Sequence, residues 1–117
     1  MNSLLVYFAS FFIGSMSINS GLISWSDKKL EWSDFQGSPS EFIVSDEGKY
    51  SGAATFSTVY METQGWDGDS VKFYVPSYFD MKKSWKRKFI NSDYHLNHEQ
   101  RHFDITEYVA RGFRESL

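Results

Sequence analysis

Residues 94–113, YHLNHEQRHFDITEYVARGF, decide how this chain is read. Upstream of them the apolar residues alternate in twos; here they recur every three to four positions, the period of a helix. Ser92 or Asp93 stands where an N-cap belongs and Gly112 falls near the far end, so the spacing predicts one helix from about Tyr94 to Phe113. On a wheel with His98 at zero, Ile105, Val109, His102 and Phe113 fall within about 80° of arc. Both histidines are therefore expected on the apolar, inward-facing stripe.

Working back from the helix, the pattern is that of strands. Ala53–Met61 (AATFSTVYM) is rich in β-formers, with Ala54, Phe56, Thr58 and Tyr60 on one face and Thr55, Ser57 and Val59 on the other. Gln64–Gly68 reads as a turn, and Val71–Val75 alternates Val71, Phe73 and Val75 against Lys72 and Tyr74. Two such runs joined by a glycine-containing segment predict an antiparallel hairpin. Leu30–Phe35 reads as a short strand ending at Gly37, Ser38 and Pro39. Phe42–Val44 is a second apolar burst closed by Ser45–Gly48, and Ser84–Phe89 has the look of a short helix. The expected fold class is α+β: a small, mostly antiparallel sheet packed against the helix that carries the histidines.

Length and composition bound the function. The chain has 117 residues, 41% hydrophobic and 19% aromatic, enough for one domain with a real core and too few for two. A formal net charge of -3 argues against a nucleic-acid partner held by phosphate neutralisation. With no cysteine there is no disulfide framework, thiolate metal site or cysteine nucleophile. A metal must be held by His, Asp or Glu.

Leu4–Ile13 (LLVYFASFFI) is an apolar run of signal-peptide length, short of the ~20 residues of a membrane span. Ser15 and Ser17 supply small residues where a signal peptidase needs them, although no Lys or Arg precedes the run. The expectation is a signal peptide over residues 1–17, a single domain over 18–117, a secreted or periplasmic location and no stable membrane span once the signal is gone. The same run could instead be a first strand or a buried helix of the fold.

His98-Glu99-Gln100-Arg101-His102 is an HExxH motif on the predicted helix. Positions i and i+4 share a face, so His98 and His102 can point at one tetrahedral Zn²⁺. Glu99 sits about 100° round the wheel, beside the metal, where it can take a proton from a metal-bound water and pass it to a leaving amine. The plainer alternative is a pair of core histidines, each donating to a backbone carbonyl, which asks for several matched hydrogen bonds.

HEQRHFDITEYVAR (98–111) resembles the HEQxHFDIxExxAR signature of a bacterial family described as predicted secreted zinc-dependent proteases, a domain of unknown function. LEWSDFQG (30–37) is similar to that family's L-x-W-x-D-F-x-G opening, and AATFSTV (53–59) to its strand of small residues and threonine. Tyr78-Phe79 to Ser84-Trp85 resembles its F…SW segment. The likeness runs from about Leu30 to Arg111 and implies a zincin-like fold and an exported product. His95 stands where that pattern leads one to expect leucine.

A zinc site wants at least three protein ligands, and the sequence leaves the third open. His95 is about 60° round from His98. Asp104 and Glu107 match the signature, yet lie at about 240° and 180° on the wheel, out of reach of the ion unless the helix bends after His102. Glu107 and Arg111, spaced i,i+4, could pair instead. Glu115 is the acid still further along, and a ligand from the β half is the remaining source.

Other features are weaker. Lys82–Lys88 gathers five of the twelve basic residues around Trp85; it reads as an anionic-surface or polymer contact or, more simply, as a solvated helix face with Trp85 anchored in the core. Ser45–Gly48 and Asp67–Asp69 lack calcium-loop spacing and read as turns. Three functions follow: a secreted zinc-dependent metallopeptidase with a peptide or protein substrate, a non-catalytic exported binding module keeping the fold, or another metal-assisted hydrolase.

Overall fold

The computed structural model of the chain describes residues 6–8, 12–13, 21–39 and 52–117. Its elements are β1 (Val6–Phe8), β2 (Phe12–Ile13), β3 (Leu22–Ser24), a 3-10 turn (Trp32–Asp34), β4 (Ala53–Asp67), β5 (Ser70–Tyr74), β6 (Ser77–Asp80), β7 (Trp85–Lys86) and α1 (Asp93–Ser116). The architecture is α+β, a curled and mostly antiparallel sheet with one C-terminal helix laid along it. Phe42–Val44, Ser45–Gly48, Ser15, Ser17 and the rest of Leu4–Ile13 lie outside the described residues.

Strand β4 organises the sheet. Along one edge it pairs antiparallel with β5 (Glu62↔Tyr74 to Asp67↔Ser70), β6 (Ser57↔Phe79 to Val59↔Ser77) and β7 (Ala53↔Lys86, Ala54↔Trp85). This is one long hairpin. Its loop is only Gly68-Asp69, with Gly68 at φ +65, a conformation that costs glycine little. The turn expected over Gln64–Gly68 is thus mostly strand, with a register shift between Thr63 and Gly65 absorbing the extra residue. The outer edge of β6 takes β3 antiparallel, Leu22↔Asp80 to Ser24↔Tyr78. The opposite edge of β4 takes β1 and β2 in parallel.

Two other expectations are corrected. Leu30–Phe35 is a 3-10 turn rather than a strand, because Asp34 closes it locally: its Oδ2 accepts from Glu31 N at 2.8 Å and from Lys28 Nζ at 2.8 Å. Ser84–Phe89 forms no helix. Ser84 Oγ accepts from Phe56 N at 2.9 Å and Ser84 O accepts from Gly37 N at 2.7 Å, which holds the segment to its neighbours as strand β7. A Cβ at Gly37 would meet Lys82 O at 2.7 Å, so this close approach requires glycine. Trp85 is buried, while Lys86 lies 5.8 Å over the Trp32 ring and Arg87 5.3 Å over that of Trp85.

The helix starts at its expected cap, Ser92 Oγ accepting from His95 N at 3.1 Å. It runs in the direction of β4, over the face bearing Thr55, Ser57 and Val59. Phe103 meets Phe79 at 5.7 Å between ring centroids, within a cluster of Ile23, Leu30, Phe35, Phe79 and Phe103. Further along, Ala110 joins Val59 and Val75. The buried face is centred on Glu99, Phe103, Thr106 and Ala110, not on the stripe through Ile105, which is 45% exposed. Counting turns, the helix is rotated by about 100° from the expected orientation.

Candidate metal centre

The rotation places Glu99 against the sheet and the two histidines at its flank. Glu99 is 6% exposed and His102 2%, while His98 is half-buried. Their Nε2 atoms lie 3.1 Å apart, with the rings nearly perpendicular at 87°. Two imidazoles on one tetrahedral zinc, each with Zn–N near 2.05 Å, stand about 3.3 Å apart. A few tenths of an ångström of opening would therefore suffice to admit an ion. In the ion-free form one ring donates to the other across that gap.

The Glu99 carboxylate completes the group, with one ligand atom from each of His98, Glu99 and His102 within 4.8 Å of the others. Thr55 on β4, itself fully buried, donates to Glu99 Oε1 at 2.7 Å. Burial raises the Glu99 carboxyl to about 7, the Thr55 hydrogen bond acting against it. Burial and the neighbouring His98 lower His102 to about 4, so its ring is neutral and able to ligate at pH 7. His102 Nδ1 is buried without a hydrogen-bond partner. Ligating histidines usually have an acceptor there; packing, not an outer-shell acceptor, sets this ring. These three residues could hold a metal ion.

The other ligand candidates stand apart. The helix is unbroken from Asp93 to Ser116, so no bend brings its later acids round. His95 Nδ1 is 2.6 Å from Ser92 Oγ, at the helix cap. Asp104 Oδ1 accepts from Trp25 Nε1 at 2.8 Å and from Gln100 Nε2 at 3.0 Å. Gln100 Oε1 accepts in turn from Leu30 N at 2.7 Å, so the Gln and Asp of the motif fasten the helix to the 21–35 segment. Glu107 accepts from Ser77 Oγ at 2.8 Å, Arg111 Nε at 3.0 Å and Arg114 Nη1 at 2.8 Å. Burial alone would raise its carboxyl; the bonds from Arg114, Ser77 and Arg111 prevail and hold it at about 2. Among the described residues neither Glu115 nor any strand residue joins the cluster.

Thr55 is the functional residue that sequence reading left without a role. The signal was present: Thr55 and Ser57 share a strand face, and the helix opposite carries Glu99 and Thr106, whose hydroxyl lies 2.6 Å from that of Ser57. Among the described residues no helix is long and apolar enough to cross a membrane. Compared with protein-family models, curated proteins and solved structures, the chain matches none.

Proposed function

We propose that this chain is a secreted or periplasmic zinc-dependent peptidase with a zincin-like fold, in which His98 and His102 hold the zinc and Glu99 is general base and then general acid. The observation that carries the reading is the cluster itself, two imidazole Nε2 atoms 3.1 Å apart beside a buried carboxylate. Zinc, when bound, lowers the pKa of a water and polarises the scissile carbonyl.

The protein supplies the rest. His98 and His102 offer ring nitrogens from adjacent turns of a rigid helix, that of His102 kept neutral by burial. Glu99, with a carboxyl near neutrality, takes a proton on its carboxylate and gives it to the leaving amine, the pKa range in which a group serves both steps at pH 7. Thr55 fixes the carboxylate's orientation. A sheet edge beside the cluster holds an extended peptide by main-chain hydrogen bonds.

A second reading has one observation in its favour: only three ligand groups converge among the described residues, and Glu99 is one of them. If Glu99 ligates, it is not the base, and the protein is an exported binding module with a structural ion. Glu99→Gln separates the two. The peptidase reading expects zinc to be retained while turnover of a fluorogenic peptide library falls at least about 100-fold, the scale of general acid–base catalysis. Undiminished turnover would contradict it, and loss of zinc from a protein whose native form shows no turnover would favour the structural ion.

A further inference from the structure

One edge of the sheet beside the cluster has the chain's own N-terminal segment as its partner. Tyr60 N donates to Pro76 O at 3.0 Å and Phe56 N to Ser84 Oγ at 2.9 Å, so the even residues of β4 bond toward β6 and β7. Because a strand alternates, Thr55, Ser57, Val59 and Met61 turn their N–H and C=O groups to the opposite edge. There β1 and β2 lie parallel to β4, with Val6↔Thr55, Tyr7↔Phe56 and Phe8↔Ser57, then Phe12↔Tyr60 and Ile13↔Met61. Since the backbone N–H of Phe56 is turned toward Ser84, away from this edge, Tyr7 is the residue placed to bond with both Thr55 and Ser57.

The helix sets its histidines over this same edge. Gln100 and Glu107 reach Leu30 and Ser77 on the β6 side, and Glu99 and Thr106 descend on Thr55 and Ser57. His98 and His102 are turned roughly 40–100° from those last two, to the opposite flank. The metal cluster therefore overhangs the stretch of β4 that β1 covers.

We infer that the outer edge of β4, from Thr55 to Met61, is a docking edge for an extended apolar peptide, and that Val6–Phe8 and Phe12–Ile13 are its resident occupants until they leave. That the edge serves substrate rests on the peptidase reading; its occupancy does not. Residues 6–13 (VYFASFFI) carry no charge, which defines the kind of strand the edge accepts. Main-chain pairing tolerates many sequences, so segment and substrate compete for the same N–H and C=O groups. Removal of residues 1–17 on export would vacate the edge. An open edge of that length invites aggregation unless something is meant to bind it.

The test uses the full chain with residues 14–17 replaced by the recognition site of a sequence-specific protease. Amide exchange is followed by NMR before and after the folded protein is cut. A second full-length variant, Tyr7→Pro, removes the N–H that faces Thr55 without any cut. Exchange is expected to quicken about tenfold or more at Ser57 and Met61 on cutting, and at Ser57 in Tyr7→Pro, with Phe56 and Tyr60 unchanged. The soluble peptide acetyl-KVYFAK-amide should slow it again in the cut protein. Unchanged exchange at Ser57 in both proteins and at Met61 after cutting overturns the occupancy, and failure of the peptide to restore protection at millimolar concentration overturns the docking edge. These readouts need no zinc. An intact exchange response without peptide hydrolysis before or after cutting supports the edge and overturns the peptidase reading instead.

Discussion

Replacing Glu99 by Gln should make the metal-free protein more stable, and by an amount that depends on pH. Glu99 is 6% exposed and its carboxyl is raised to about 7 from 4.5 by burial. The unfolded chain therefore loses that proton near pH 4.5 and the native chain only near 7. Between those values the native state binds the extra proton, so stability falls as pH rises. The deficit is complete above 7 and is worth about 3 kcal/mol, each tenfold change in proton affinity contributing about 1.4 kcal/mol. Glutamine does not ionise, and its Oε1 can still accept from Thr55.

The variant and the native protein should unfold at similar urea concentrations at pH 5. At pH 8 the variant's midpoint should be higher by roughly 2 M, for a urea slope typical of a small domain. His102 and Glu107 titrate in both proteins and cancel in the difference. A gap of the same size at pH 5 and pH 8, or a variant less stable at pH 8, would refute the buried, destabilised carboxylate on which the general-base role rests. A stabilising substitution that abolishes activity is the expected signature of a site held at the expense of stability.

Glu107→Gln should do the reverse. It breaks the bonds to Arg111 and Arg114, and because both arginines are substantially exposed the loss at neutral pH is about 2 kcal/mol rather than that of a fully buried pair. With the native carboxyl at about 2, that loss should shrink as pH falls from 4.5 toward 2; denaturation midpoints across this range check it, and a pH-independent loss would argue against the ion cluster. Thr55→Val removes the hydrogen bond that counters burial, so Glu99 should titrate above about 7 when followed by carboxyl carbon NMR in the metal-free protein. An unchanged or lower value would show that Thr55 does not support the carboxylate.

The helix, its cap at Ser92 and the long hairpin were legible from sequence because each has a local cause: a capping hydroxyl, a 3.6-residue period and alternating β-formers. The helix's buried face was not. Ile105, Val109 and Phe113 draw an apolar stripe toward the histidines, yet Glu99, Thr106 and Glu107 are buried beside Phe103 and Ala110. Their partners, Thr55, Ser57 and Ser77, come from strands distant in sequence. Polar burial satisfied across elements is invisible to a hydrophobic wheel. The 3-10 turn at Trp32–Asp34 was missed for a different reason: the Glu31–Asp34 contact that closes it is local, but the flanking Leu30 and Phe35 look like strand residues. The HExxH spacing put His98 and His102 on one face with Glu99 beside them, and the three form a group that could hold a metal ion. The i,i+4 spacing pointed to the Glu107–Arg111 pair, but no spacing rule revealed that Arg114 and Ser77 join it or that Asp104 is committed to Trp25 and Gln100.

Whether His98 and His102 hold a zinc ion is decided by metal content, measured by mass spectrometry on native protein purified without chelator beside His102→Ala prepared identically. Close to one zinc per chain is expected in the native protein, and its loss in the variant. Metal-free native protein with the circular dichroism of a folded α+β domain would contradict it, and the two histidines would then be core residues bonded to each other.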